Sequence, residues 1–113
     1  MKALGKLMNL TKGSLIAKEC FLVETNFERA RGLMFSQKKC LVFKCDGFLP
    51  VHSFFVFFPI TLLYIKKRRV VEKHLLMPFT AHYKNSHPAE YMIEVPGECN
   101  AKKGDRVAWV EDS

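Results

Sequence analysis

The chain has 113 residues, of which 49% are hydrophobic and 26% are charged. Domains typically contain about 100–150 residues, so the length predicts one domain over residues 1–113. The balance of apolar and charged residues excludes a disordered tail, and the length excludes a repeat array or a multidomain enzyme. Eighteen lysines and arginines against eleven acids give a net charge of +7.

The N-terminal segment does not have the pattern of a secretory signal. Such a signal needs an uninterrupted apolar stretch of about 7–15 residues, and Lys6 and Asn9 interrupt this one. The longest apolar run, residues 54–65, contains Pro59 and is shorter than the roughly 20 residues of a membrane-spanning helix. We therefore expect a cytoplasmic protein with no membrane partner.

Four cysteines raise the question of disulfides or a bound metal: Cys20, Cys40, Cys45 and Cys99. In a cytoplasmic protein we expect reduced thiols, with a disulfide or a metal site as the alternatives. Cys40 and Cys45 lack the C-x-x-C spacing of redox and zinc pairs, and no second pair follows. The sequence therefore predicts no metal and no cofactor.

The first part of the chain predicts a hairpin followed by a helix. Two β-compatible runs, residues 6–10 and 14–23, flank a short connection in which Gly13 can supply a positive φ. Thr25 and Glu28 have the spacing of a capping box, which marks a helix N-terminus. Apolar residues then recur at helical spacing, so we predict one short helix near residues 26–34.

The rest of the chain has β character. Strands are predicted at residues 40–45, 53–58, 60–65, 70–76, 91–95 and 106–110, with a polar loop at 78–88. The run at 53–58 is almost entirely apolar, which is typical of a strand buried on both faces. Seven or eight short strands with one helix predict a mainly β domain, a small antiparallel sandwich or a barrel-like fold.

Residues 28–35 read E-R-A-R-G-L-M-F, which resembles the E-R-x-R-G-L-M-F signature of the family called domain of unknown function 192. Later blocks resemble this family in the same order, namely H-S-F-F at 52–55, F-P-I at 58–60, Y-M-I-E-V-P-G at 91–97 and G-D-R-V at 104–107. The resemblance covers nearly the whole chain. It implies a compact, mainly β domain, and it implies no established reaction, substrate or cofactor.

The chain departs from the family pattern at two places. Thr61 follows the Pro-Ile pair, where the family usually has an aspartate. If that aspartate is a general base, this chain lacks it. If it anchors Arg31, a threonine hydroxyl replaces one hydrogen bond but not the charge pair. Phe57 and Phe58 occupy the second place, where the family often has a basic or amide residue.

A ligand-binding site is predicted in and near the segments that resemble the family. Its residues are Arg29, Arg31, His52, Phe55 and Thr61. A guanidinium can hold an anion with its planar fork, and an imidazole titrates in the range that suits proton transfer. Side chains two apart on a helix point about 200° apart, so we expect Arg29 and Arg31 not to face one ligand together.

The alternative to ligand binding is that both arginines have a purely structural role. In that case they bond to strand carbonyls, to Glu72 or to Glu94 and tie the helix to the sheet. The run at 53–58 is likewise interpreted as part of the hydrophobic core. A subunit contact is the alternative, because alternate phenylalanines would emerge on the second face of such a strand.

The leading functional prediction is a non-enzymatic domain that binds a small anionic ligand or a protein partner, with a homodimer also possible. The alternative is an electrostatic nucleic-acid-binding module that uses the basic turn Lys66, Lys67, Arg68 and Arg69. An enzyme has the least support, because no set of acid, base and nucleophile is visible in the sequence and no catalytic residue is predicted.

Overall fold

The computed structural model describes residues 1–32 and 38–110. These ranges contain β1 (Lys2–Asn9), β2 (Ser14–Leu22), α1 (Asn26–Arg31), β3 (Cys40–Gly47), β4 (Ile60–Lys66), β5 (Arg69–Leu76), β6 (Ala89–Pro96) and β7 (Val107–Val110). The strands form one sheet in the order β5-β4-β6-β3-β2-β1-β7. The predictions of a mainly β domain with one short helix and of an N-terminal hairpin are confirmed.

One pair of neighbouring strands is parallel, so the sheet is mixed rather than wholly antiparallel. β2 and β3 pair in parallel, while the other neighbouring strands pair antiparallel. Parallel neighbours cannot be joined by a tight turn and need a crossover connection. The crossover between β2 and β3 carries α1, which is why the helix occurs at this point of the chain.

A capping box starts the helix, as the sequence predicts. The Glu28 N–H donates to Thr25 Oγ1 at 3.1 Å, and the Thr25 N–H donates to Glu28 Oε1 at 3.1 Å. The helix ends at Arg31, and Gly32 follows with φ +50°, a conformation that favours glycine. The rest of the predicted helix, residues 33–34, lies outside the described residues.

The sheet curls into a half-barrel whose two ends meet at one corner. β5 and β7 lie at opposite ends of the strand order. Nevertheless, the Val70 N–H donates to the Asp105 carbonyl and the Val107 N–H donates to the Arg68 carbonyl, each at 2.9 Å. All seven strands contribute to the apolar core that is enclosed, with Leu7, Cys20, Cys40, Val42, Leu63, Ile65, Val70, Ile93 and Val107 among its members.

A second apolar cluster lies on the outer face of the central strands. Phe43, Leu62, Tyr64 and Met92 are buried there. Residues of the connections after β3 and β5 pack over them, among them Leu49, Val51, Val56, Phe58 and Tyr83. The central strand β4 is therefore covered on both faces, and this outer cluster forms the floor of the site described below.

The predicted strand at residues 53–58 is wrong, because this segment is a loop. Ser53 folds it back: its carbonyl accepts from the Val56 N–H at 3.2 Å, and its Oγ donates to the Met77 carbonyl at 2.6 Å. Phe55 has φ +59°, which is incompatible with an extended strand. As a result Val56 is buried, whereas Phe54, Phe55 and Phe57 are exposed to solvent.

Within the described residues, no helix has the length and apolar character needed to cross a membrane.

The cap of α1 gives a first prediction. Thr25→Ala removes the side-chain acceptor of the Glu28 N–H and should lower the free energy of unfolding by about 1 kcal/mol. Urea unfolding of the purified protein measures this change. Thr25→Ser retains the hydroxyl and should stay within a few tenths of a kcal/mol of the parent. An alanine variant as stable as the serine variant would contradict the role assigned to the cap.

Candidate anion-binding cavity

A cavity of about 210 Å³ opens where the C-terminal end of α1 meets the outer face of the sheet. Three parts of the chain surround it: the helix end, the start of the loop after β3, and strands β3, β4 and β6. The lining residues are Arg29, Ala30, Arg31, Gly32, Phe43, Leu49, Pro50, Val51, His52, Val56, Ile60, Met92 and Glu94. An engineered protein cavity of about 150 Å³ holds benzene, so this space suits a small molecule.

Glu94 is the carboxyl group in the floor of this cavity. It lies in β6 between Leu41 of β3 and Leu62 of β4, which are both buried and apolar. Only 5% of Glu94 is exposed, and its Oε1 has no hydrogen-bond partner among the described residues. An unpartnered buried polar atom costs stability, so native proteins satisfy most such atoms. Glu94 is therefore an exception that needs an explanation.

Burial raises the pKa of Glu94 from its ordinary 4.5 to about 8. No opposite charge offsets this desolvation, which agrees with the lack of an ion pair to Glu94 among the described residues. The carboxyl is consequently mostly protonated at neutral pH. A neutral carboxyl can donate a hydrogen bond to an anion instead of repelling it.

The helix ends directly above this carboxyl. A Cβ at Gly32 would lie 3.8 Å from Glu94 Oε1. The Gly32 N–H is already used, since it donates to the Glu28 carbonyl at 2.8 Å. Gly32 therefore contributes close approach and a positive φ, and its N–H is not a donor for a ligand.

Arg29 and Arg31 both line the cavity, although they are two positions apart on the helix. Four consecutive residues of α1 and its cap line the space, which means that it faces the end of the helix rather than one side. Both arginines are exposed, and neither side chain makes a hydrogen bond or ion pair within the part of the chain that the structure describes.

Among the described residues, neither arginine side chain is bonded to a strand carbonyl, to Glu72 or to Glu94, the partners expected if the arginines were structural. Glu72 instead accepts from the Tyr83 hydroxyl and from the Ser86 and His87 N–H groups. Both guanidinium groups thus remain without a partner in the described structure.

His52 lines the same cavity from the loop after β3. Its Nδ1 accepts from the Phe54 N–H at 3.2 Å, so the neutral ring carries its proton on Nε2. The structure thus brings together three of the predicted residues: Arg29, Arg31 and His52.

The other two predicted residues, Phe55 and Thr61, do not line this cavity. Thr61 is 1% exposed, and its Oγ1 donates to the Gly97 carbonyl at 2.6 Å. Ile60 lines the cavity, and because strand neighbours point to opposite faces, Thr61 points away from it. Phe55 is 45% exposed and meets Phe79 edge-on, with ring centroids 6.0 Å apart.

Glu94 is the site residue that the sequence prediction missed, since it appeared there only as a possible anchor for an arginine. The sequence nevertheless contains a pattern that points to Glu94. A single acid interrupts the otherwise apolar stretch from Tyr91 to Val95, in a strand buried on both faces. A charged residue at such a position is rarely buried unless it is paired or functional.

The basic turn lies elsewhere, and none of its residues lines the cavity. It connects β4 to β5, and the Lys67 N–H donates to Glu90 Oε1 at 2.7 Å. Arg69 Nη1 donates to the Gly104 carbonyl at 3.0 Å. These bonds anchor Lys67 through its main chain and Arg69 through its side chain.

The cysteines form no metal centre in the described structure. All four are free thiols, and Cys20 Sγ lies 2.8 Å from Cys40 Sγ inside the half-barrel. The hydrogen bond with Cys20, together with burial, raises the pKa of Cys40, which opposes the thiolate that a metal needs. No group of three His, Cys, Asp or Glu side chains in residues 1–32 and 38–110 could hold a metal ion.

The chain belongs to the family DUF192, described as "Uncharacterized ACR", whose sequence profile matches residues 9–109. It is similar to a solved protein of unknown function from Novosphingobium aromaticivorans, with 18% identity, a TM-score of 0.70, and 93% of each chain covered. It is also similar to a "putative transcription regulator" from Sinorhizobium meliloti, with 20% identity and a TM-score of 0.69. That match covers 92% of this chain and 90% of the other. No curated protein matches the chain.

The raised pKa of Glu94 predicts a pH-dependent cost of folding. In the unfolded chain Glu94 loses its proton near pH 4.5, whereas in the folded protein it keeps the proton up to about pH 8. The folded state therefore binds more protons in this window, and stability falls as pH rises through it. Glu94→Gln does not titrate, so its stability relative to the parent should rise by roughly 3–5 kcal/mol between pH 4.5 and 8.

Urea unfolding of both proteins across this pH range measures the difference. The matched control is Glu98→Gln, at an exposed position outside the cavity, which should show no comparable change with pH. A Glu94→Gln difference that stays constant from pH 4 to 9 would contradict an unpaired, buried carboxyl.

Proposed function

We propose that this protein is a non-enzymatic binding domain whose cavity takes a small anionic ligand. The anion would lie between the guanidinium groups of Arg29 and Arg31, and it would accept a hydrogen bond from the neutral Glu94 carboxyl. The observation that carries the proposal is the buried Glu94 Oε1, which faces the helix end and has no partner among the described residues.

The charge distribution supports an anion rather than a cation. The two arginines have no acidic partner in the described structure, and the cavity's one carboxyl is mostly neutral at pH 7. Charge-assisted hydrogen bonds from arginine to a carboxylate or phosphate are short and strong. The Nε2–H of His52 is a further donor at the same cavity.

The composition of the lining supports binding rather than covalent catalysis. It contains one carboxyl and one imidazole, and its described residues include no serine, threonine, cysteine or lysine that could act as a nucleophile. A cytoplasmic location belongs to the same proposal, because four free thiols suit a reducing compartment.

A protein partner, including a second copy of the chain, is a second candidate. The exposed rings of Phe54, Phe55 and Phe57 lie just beyond His52, and Phe57 is 67% exposed. Apolar surface of this kind is typical of a protein contact. Sedimentation of the parent and of Phe57→Ser tests self-association: a dimer that the serine variant lacks supports it, and a monomer at high concentration contradicts it.

Loss of one arginine tests ligand binding separately from folding. Arg31→Ala removes an exposed cation with no partner in the described structure, so the melting temperature should stay within about 1 °C of the parent. Sulfate and acetate are suitable probes, because neither changes its charge near neutral pH. The variant should bind them at least tenfold more weakly, as measured by shifts of the amide NMR signals of residues 29–32 and 94.

Lys103→Ala is the matched control, since it removes one positive charge from an exposed turn outside the cavity. It should bind both probes as the parent does. A large drop in the melting temperature of Arg31→Ala, with no anion bound by the parent, would instead favour a structural arginine.

A further inference from the structure

A second cleft, of about 550 Å³, lies beside the basic turn at the opening of the half-barrel. We call it the aromatic–basic cleft, and it is lined by Ile65, Lys67, Arg68, Glu90, Tyr91, Val107, Ala108 and Trp109. It shares no lining residue with the cavity at Glu94. A ligand here would therefore be recognised independently of the anion proposed above.

Two aromatic rings from distant strands meet in this cleft. Tyr91 belongs to β6 and Trp109 to β7, which are separated in the sheet by β3, β2 and β1. Their ring centroids are 6.1 Å apart and their planes make an angle of 68°, so they contact each other edge-on. Both residues are only half-buried, which leaves ring surface in the cleft.

The indole of Trp109 also offers a polar group. Its Nε1–H is shielded from solvent and has no acceptor among the described residues. A buried donor without an acceptor costs stability, so a ligand with a carbonyl or a ring nitrogen would relieve that cost. The cleft thus presents apolar ring surface, and one of its two rings carries an unused hydrogen-bond donor.

The two cations of the cleft are held in place through their main chain. Lys67 and Arg68 have φ values of +51° and +63°, as the two central residues of a type I′ hairpin turn require. The Lys67 N–H donates to Glu90 Oε1, and the Arg68 carbonyl accepts from the Val107 N–H. Neither side chain has an acidic partner in the described structure, so both charges are available beside the rings.

Glu90 is the acid in the lining, and its single negative charge offsets only one of the two positive charges. Its Oε1 is already bonded to the main chain of the turn, at 2.7 Å from the Lys67 nitrogen. The local balance is therefore two cations and one anion, next to two aromatic rings. Aromatic side chains flanked by basic residues are typical of surfaces that bind bases and phosphates together.

We propose that the aromatic–basic cleft binds a nucleotide unit, with its base stacked on Trp109 and Tyr91 and its phosphate held by Lys67 and Arg68. The unit is either a free nucleotide or part of a single strand, because both carry the same base and phosphate. The sequence predicted nucleic-acid binding through the charge of the basic turn alone, whereas the site proposed here is a defined cleft that includes both rings.

The single tryptophan of the chain makes the test direct, since all indole fluorescence comes from Trp109. The probes are adenosine monophosphate and an oligothymidylate eight nucleotides long, with ribose 5-phosphate as the base-free reference. At low salt we expect a saturable loss of Trp109 fluorescence with adenosine monophosphate, with the oligonucleotide, or with both. Ribose 5-phosphate should neither quench the signal nor displace a nucleotide at similar concentrations.

Two pairs of variants locate the site. Lys67→Gln/Arg68→Gln should weaken binding at least tenfold, and for the oligonucleotide it should reduce the dependence of log affinity on log salt by roughly one to two. Lys102→Gln/Lys103→Gln removes the same charge from an exposed turn outside the cleft and should change little. Tyr91→Leu should weaken binding, whereas Arg31→Ala, at the other cavity, should leave the quenching unchanged.

Quenching by both probes supports recognition of the shared unit. Quenching by one alone supports the cleft and identifies the source as a free nucleotide or a strand. No quenching at low salt, equal competition by ribose 5-phosphate, or equal losses in the two double-glutamine variants would overturn it. The cavity at Glu94 is unaffected by any of these results.

Discussion

The parallel pairing of β2 with β3 is the constraint on which the candidate site depends. An antiparallel neighbour could have followed β2 through a short turn, and the outer face of the sheet would then have stayed open. Parallel pairing requires the chain to return to the starting end of the sheet before β3 begins. That return carries α1, and the helix ends directly above Glu94.

Burial of Glu94 follows from its place in the sheet as much as from the helix. β6 is flanked by β3 and β4, and the residues opposite Glu94 on both neighbours are leucines. The helix end and the connection after β3 then limit access of water from above. The arginines on the helix are exposed, and the carboxyl has no ion pair among the described residues, so the site combines exposed cations with a buried, mostly neutral acid. Buried polar groups that lower the stability of the fold are concentrated at functional sites.

Features set by short-range chemistry could be predicted from the sequence. The capping box, the first hairpin and the basic turn each depend on residues that are neighbours in the chain, and the structure has all three. The segment at 53–58 could not be predicted in this way. Its composition suits a buried strand, but Ser53 Oγ donates to the Met77 carbonyl and accepts from the Thr80 N–H, and these bonds fold the segment into a loop.

The candidate site was predictable only in part, because it too depends on contacts between residues that are distant in sequence. Arg29, Arg31 and His52 belong to recognisable blocks and do meet at one cavity. Thr61 does not line this cavity, because strand alternation turns it to the opposite face. Glu94 was missed because its burial depends on β3, β4 and the helix end together. Contacts between strands that are distant in sequence and in the sheet, such as Tyr91 with Trp109, leave no local pattern.

The most direct measurement is a carboxyl ¹³C NMR titration of Glu94, with the signal assigned by its loss in Glu94→Gln. We expect a midpoint near pH 8 for the protein alone. With saturating sulfate the midpoint should move higher, because only the protonated carboxyl can donate to the anion. A midpoint near the ordinary value of about 4.5, or one that sulfate leaves unchanged, would contradict a neutral acid that binds an anion.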